Sequence, residues 1–314
     1  MKLLSRRTRF DKNQLILQAM ALAGVLWYII FHYVPMYGLI ISFLEYDFIK
    51  GILGSPFVGF KYFIELFTDP EIPGILYNTL AIAILKLFLC FPVTIIFAIL
   101  VNEISSKWLK KFVQTVSYFP YFISWIIVSM IAIYWFSPEF GLVNNILTGL
   151  HIVDKPITPL TDSGAFYWLA VFTQMWKETG WSAIIFIAAI SGIDPTIYEA
   201  SIVDGTSKLQ RIIYITIPSI FGTIILMFLM NLGNLFSGGA GTFEQAMFLG
   251  NNLNRNTSTV LSLYTLRVGI QLGRFSYATA VGFVNSVVSL ALLLFCNNLC
   301  KKLFNRSLYV AEGD

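Results

Sequence analysis

Charge is the scarcest commodity in this sequence. Only 12% of its 314 residues are Asp, Glu, Lys or Arg, against about 25% in an ordinary soluble domain. With 57% hydrophobic residues, such a chain cannot cover a water-facing surface, so a soluble fold is excluded and a bilayer is implied. Cysteine is sparse too. Cys90, Cys296 and Cys300 all lie in or beside apolar runs, and an odd set of three makes no disulfide framework. The histidines, His32 and His151, stand apart without clustered partners. That speaks against a metal centre, and against a membrane enzyme built on a His, Asp or Ser constellation. No G-x-x-x-x-G-K-[ST] phosphate loop occurs, so nucleotide chemistry is not expected in this chain. Internal repeats and low-complexity tracts are also missing.

What the sequence does have is hydrophobic length. A spanning helix needs roughly 20 mostly apolar residues. Six segments qualify, at residues 15–43, 75–101, 118–136, 166–192, 217–236 and 277–299. They predict an all-α integral membrane protein with six transmembrane helices. The N-terminus, MKLLSRRTRFDK, is basic, and the apolar run after it is long enough to span, so it reads as a retained helix rather than a cleaved signal. Pro35 is expected to kink, tilt or shorten that first span.

Orientation follows from the loop cations. One side collects Lys2, Arg6, Arg7, Arg9 and Lys12, then Lys107, Lys110 and Lys111, then Lys208 and Arg211, then Lys301, Lys302 and Arg306. The other side holds Lys50, Lys61, Lys155, Arg255, Arg267 and Arg274. Both termini are therefore expected in the cytoplasm. This divides the chain into a basic segment at 1–14, a six-helix domain at 15–300 and a tail at 301–314. The long loops at 44–74, 137–165 and 237–276 fall outside. FVGFKYFIELF in the first of them has helical apolar spacing and reads as an interfacial helix. The last, with Gly238, Gly239 and Gly241, reads as a folded loop.

The cytoplasmic loop at 193–217 is unusual. Asp194 is a helix N-cap and Pro195 a first helical residue. A short helix then runs to Asp204. Gly205 supplies a left-handed turn, and Ser207-Lys208-Leu209-Gln210 has capping-box spacing. A helix, a tight elbow and a second helix result, the second ending at Pro218 where the fifth span begins. Small residues at Ala200, Ser201 and Gly205 let another surface approach closely. On physics alone an ordinary amphipathic connector fits equally well.

Glu199-Ala200-Ser201, three residues, Gly205, then Ile215 and Pro218 resemble the coupling-loop signature of permease subunits of binding-protein-dependent ABC importers. The family pattern is Glu-Ala-Ala, three residues, Gly, about nine residues, Ile, one residue, Pro. The gap from Ile215 to Pro218 is one residue wider than that pattern, and fits where Thr216-Ile217-Pro218 stands in for the family's Ile-x-Leu-Pro ending; Ser201, Thr206 and Ile217 depart from the usual residues but stay small or aliphatic. The segments YNTLAIAILKLFLCFPVTIIFAILVNEI and FSYATAVGFVNSVVSLALLLF, and the tract Gly141-Leu142-Val143-Asn144, are similar to the carbohydrate permeases of this superfamily, the polysaccharide and complex-oligosaccharide branch above all.

The resemblance implies a bacterial cell-membrane permease paired with a second, homologous permease. Its further partners are a cytoplasmic ATPase dimer that binds ATP-Mg, an extracellular solute-binding protein and an oligosaccharide. Lipid surrounds it, and nothing points to nucleic acid. The chain itself holds no cofactor and is no enzyme. In this reading Glu199 is the polar contact to the ATPase and Gly205 sets the elbow angle. Ala200 and Ser201 form the close-packing face, and Asp204 holds the elbow or pairs with the ATPase.

Polar groups inside spans are costly and face a cavity or a partner helix. Gln174, Trp176, Lys177, Glu178 and Trp181 in the fourth span, Asn231 and Asn234 in the fifth, and Arg267 at the outer mouth are the candidate substrate path; Lys86 stands beside them in the second span. Plainer readings stay open at this point: Lys86 snorkels, the asparagines bond across helices, the tryptophans anchor at the interface, and Arg267 forms a loop ion pair. An ion-coupled secondary transporter working through Lys86, Lys177 and Glu178 is the alternative class. It requires inverted repeats, which the sequence does not display. A permease for a non-sugar solute is the alternative within the ABC class.

Overall fold

The structure, a computed structural model, describes residues 12–304. Most of the basic N-terminal segment, with Lys2, Arg6, Arg7 and Arg9, and the tail with Arg306 lie outside the described residues. Every regular element among the described residues is a helix, apart from a single isolated bridge between Leu44 and Phe57. We label its main helices α1 (Gln14–Phe43), α2 (Lys61–Thr68), α3 (Ile72–Asn102), α4 (Lys107–Tyr118), α5 (Trp125–Trp135), α6 (Leu142–Gly149) and α7 (Phe166–Ser191). There follow α8 (Pro195–Val203), α9 (Lys208–Gly233), α10 (Thr242–Leu249), α11 (Leu261–Leu266) and α12 (Phe275–Phe304). Four of these, α1, α3, α9 and α12, are long and apolar enough to cross a membrane alone. Two bent pairs raise the number to six if each pair is one span.

The packing centre is the pair α3 and α7. Near one pair of their ends Ala98, Val101, Ala183, Phe186 and Ile220 form one apolar cluster. Toward the other ends Ile82, Phe166 and Ala170 meet Ala132 of α5 and Ala246 and Leu249 of α10. α10 therefore belongs to the core, although it lies in a segment expected to be an outer loop. α2 buries Phe63 and Leu66 and exposes Ile64 and Phe67 on its other face.

A third apolar cluster, with Leu66, Ile72, Tyr264 and Tyr277, is closed by a carboxylate. Asp69 accepts hydrogen bonds from Tyr264 at 2.7 Å and Tyr277 at 2.8 Å. Burial pushes its carboxyl up, but the bonds from Tyr264, the Glu71 amide and Tyr277 outweigh that and hold it below the usual range. Arg274 pairs with Glu65 and lies over the Tyr277 ring, tying α2 to the start of α12.

Three expectations need correction. The segment 118–136 is not one helix. Pro120 sits in a single 3-10 turn, Phe119–Phe122, and Ser124 caps a new helix through the amide of Ile127. The chain turns by 101° between the two halves. The fifth span does not begin at Pro218, because α9 runs unbroken from Lys208. A π turn at Ile212–Thr216 lets Ile217 N–H bond to the Ile212 carbonyl, five residues back. That widening relieves the clash a proline ring makes with the carbonyl four residues before it. The same device carries α1 through Pro35, where a π turn at Ile29–Tyr33 lets Val34 N–H reach Ile29. The first span thus neither ends nor breaks at its proline.

Candidate functional site: a cavity among the spans and an elbow beneath them

One turn of α7 separates two kinds of chemistry. Residues 174, 178, 182 and 186 recur every fourth position and share a face. That face lines a cavity of about 220 Å³ with Lys86, Cys90 and Thr94 of α3 and Met227 and Asn231 of α9. Gln174 donates to Glu178 at 2.7 Å. Its own carbonyl oxygen is buried without a hydrogen-bond partner, as is the hydroxyl of Thr179, which also lines the cavity. Buried polar atoms are nearly always paired, so two unpaired ones facing one cavity mark a place for a polar ligand. Typical ligand pockets run to roughly 300–1,000 Å³, so this cavity is small for one.

The other face of α7 does structural work. Where the third span breaks, its carbonyls lose their helical partners. Lys177 Nζ donates to Tyr121 O and Ile123 O at 2.6 Å each and to Pro120 O at 3.4 Å. One buried ammonium caps the break, as membrane-depth irregular backbone requires. Trp181 stacks on Tyr121 with ring centres 4.4 Å apart, and Trp176 meets Trp135 edge-on. Gly180 permits the approach, because a Cβ there would fall 2.1 Å from the Ser117 carbonyl.

The candidate path is therefore divided. Gln174, Glu178 and Asn231 come together at the cavity, whereas Trp176, Lys177 and Trp181 brace the broken span. Asn231 and Asn234 each donate to a carbonyl of their own helix, Met227 and Met230, rather than across helices. Asn234 does not line the cavity. Arg267 is half-buried in a π turn and makes no ion pair among the described residues. Lys86 does not snorkel. It is 6% exposed and donates to Ala240 O, Thr242 Oγ1 and Gln245 Oε1 at 2.9, 2.6 and 2.7 Å.

Beneath the spans, α7 turns by 70° into α8. Asp194 accepts from Thr196 N–H at 2.9 Å, and that bond holds its carboxyl below the usual range. Gly205 has φ of +74° and the Ser207–Gln210 capping box starts α9. The elbow is tied to itself and to α9. Thr206 donates to Ser201 O, Arg211 donates to Thr206 O, and the Tyr198 and Thr216 hydroxyls meet at 2.9 Å. Ser201 is buried against its own chain and donates to Tyr198 O, so it is not part of the outward face. Glu199, Ala200, Asp204, Gly205 and Pro218 are exposed. So are Ile202, Val203, Leu209 and Tyr214, which composition did not single out. Val203 is 88% exposed, and such a group of bared large apolar side chains fits a contact with protein or membrane.

Residues 92–307 match the family described as "Binding-protein-dependent transport system inner membrane component". The chain belongs to this family. It is a multi-pass membrane permease. Among its relatives in Bacillus subtilis (strain 168) is the polygalacturonan/rhamnogalacturonan transport system permease protein YteP, 38% identical over 95% of this chain and 91% of the relative. Protein LplB of the same organism is 36% identical over 93% and 91%. Among solved structures, a chain of a bacterial ABC transporter that imports the acidic polysaccharide alginate superposes with a TM-score of 0.84. It is 34% identical, with 96% of this chain and 100% of that chain covered. A second structure of the alginate transporter, in complex with alginate pentasaccharide-bound periplasmic protein, gives a TM-score of 0.85 at the same identity, covering 97% and 100%.

Proposed function

We propose that this chain is the membrane permease subunit of an ATP-driven importer that moves an oligosaccharide from an extracellular binding protein into the cytoplasm by alternating access. Six spans cross the bilayer and both termini are cytoplasmic. A second permease completes the path, and an ATPase dimer that holds ATP-Mg docks against the elbow. The observation that carries this reading is the elbow. It is rigid, exposed and apolar at its tip, and α9 continues from it without a break into the wall of the cavity. Movement of the tip is therefore movement of Asn231.

At the docking face Glu199 is the polar contact, Ala200 gives close approach, Gly205 sets the angle, and Asp204 terminates α8. Ile202, Val203, Leu209 and Tyr214 supply the buried area, in the manner of helix-in-groove recognition. In the path, the Gln174 carbonyl, Thr179, Glu178 and Asn231 offer partners for sugar hydroxyls. The names of the relatives and of the solved transporters favour a polysaccharide fragment over a non-sugar solute. Ion coupling through Lys86 or Lys177 is disfavoured because each already holds three acceptors. None of the best-spanning window of α1 is buried by its own chain, which fits a surface covered by lipid or a partner permease.

The test is purification of the tagged chain in mild detergent with mass spectrometry of what accompanies it. An ATPase and a second permease are expected, with the ATPase lost from a variant carrying Glu199→Ala and Gly205→Pro. A chain recovered alone, or only with copies of itself, overturns the reading.

A further inference from the structure

The cavity has a roof that the function above does not account for. Leu235, Gly239 and Ala240, from the end of α9 and the loop after it, line one end of the cavity. Gly238, Gly239 and Gly241 all lie in the left-handed region, with φ of 83°, 80° and 69°. The loop is pressed into its seat. A Cβ on Gly241 would fall 2.3 Å from the Trp125 ring and 2.9 Å from the Gln174 carbonyl oxygen. With no side chain from residues 238–241 larger than a methyl, little apolar burial anchors the loop.

Two side chains hold its carbonyls: Thr242 donates to Gly238 O, and Lys86 donates to Ala240 O and to Thr242 itself. The three acceptors of Lys86 are the loop carbonyl of Ala240 and two side chains at the start of α10, Thr242 and Gln245. Gln245 in turn donates to Ala170 O and Thr173 Oγ1 of α7, both at 2.8 Å. The loop is thus strung between α3 and α7 where Gly239 and Ala240 bound the cavity.

We propose that Gly238–Gly241 is the outer gate of the cavity and that Lys86 is the positioning residue that latches it. The proposal rests on the importer reading. The chemistry suits a gate that a sugar opens. An ammonium has three N–H donors, and a sugar hydroxyl is an acceptor like the Thr242 hydroxyl and the Ala240 carbonyl. An arriving sugar exchanges with these acceptors on Lys86, so the ammonium stays satisfied while the loop lifts. The left-handed glycines give the backbone its freedom to swing.

Cys90 lines the cavity on the far side of the roof and serves as the reporter. The experiment uses the assembled transporter in proteoliposomes, with Cys296→Ser and Cys300→Ser as background. A membrane-impermeant methanethiosulfonate is added from outside, without binding protein or ATP. In the wild type Cys90 is expected to be protected. In Lys86→Met the outside labelling rate is expected to rise at least tenfold, and ATP hydrolysis to lose its dependence on the binding protein. Gly241→Ala leaves the lysine in place but unseats the loop, and should do the same. It carries the test if Lys86→Met does not assemble. Cys90 labelled from outside in the resting wild type, or protected in an assembled variant, overturns the gate. Oligosaccharide uptake by the wild type, measured in the same vesicles, separates the two ideas. Uptake with unchanged labelling sinks only the gate, and no ATP-driven uptake sinks the importer.

Discussion

Lys86 and Lys177 are the residues on which composition alone misleads. An intramembrane lysine reads as a substrate or ion ligand, and both invite that reading. Each instead satisfies carbonyls that the fold has released, Lys177 at the break in the third span and Lys86 at the glycine loop. The sequence conceals this because the acceptors lie 54 to 57 residues away for Lys177 and 154 to 159 for Lys86. Gln174, Glu178 and Asn231 were legible because a polar side chain inside an apolar run faces a cavity or a partner helix. Replacing Lys177 by Met strands three backbone carbonyls, at roughly 1–3 kcal/mol for each buried unsatisfied group. We expect the detergent melting temperature to drop by several degrees, while the KM for uptake by the protein that still assembles stays unchanged. A raised KM at unaltered melting temperature would return Lys177 to the substrate path.

At the scale of elements, capping chemistry made the elbow readable. Asp194, Gly205 and the Ser207–Gln210 pair act within a few residues of one another, and the structure forms each as a local rule requires. The break at Pro120 was hidden because apolar residues run straight through it, and hydropathy carries no record of a 101° turn. Helix contacts were equally hidden. Gly180→Ala would drive a methyl into the Ser117 carbonyl, an overpacking that costs about 1–3 kcal/mol. Lowered thermal stability and loosened packing of α4 on α7, read by cysteine cross-linking across that contact, are expected. Unchanged stability would contradict the packing. Where α2 meets α12, Asp69→Asn keeps an acceptor but loses the charge, so about 1 kcal/mol of hydrogen bonding is forfeited. The Asp69 carboxyl is depressed in the folded protein, so its contribution is present above the unfolded value of about 3.9. It is lost as pH falls through the lower folded value. Acid should therefore loosen α2 from α12, and the Asn variant should show no such acid step by hydrogen exchange.

For the whole molecule, the arrangement links the elbow to a cavity wall through one continuous helix. The number of hydrophobic runs and the elbow between the fourth and fifth were open to reading from the sequence, since both are local. The membership of α10 in the core, the roof over the cavity and the bareness of α1 were not, because they depend on which helices lie side by side. The central claim is that force at the elbow becomes movement of sugar. It is tested most directly by ATP-driven uptake of labelled polysaccharide fragments into proteoliposomes holding the two permeases and the ATPase, with binding protein supplied outside. The comparison is wild type against Gly205→Pro, which cannot adopt φ of +74° at the elbow. The account predicts uptake that requires ATP in the wild type and falls at least tenfold in the variant while the spans stay folded. Uptake that ignores ATP and follows an ion gradient, or that persists undiminished in Gly205→Pro, would contradict it.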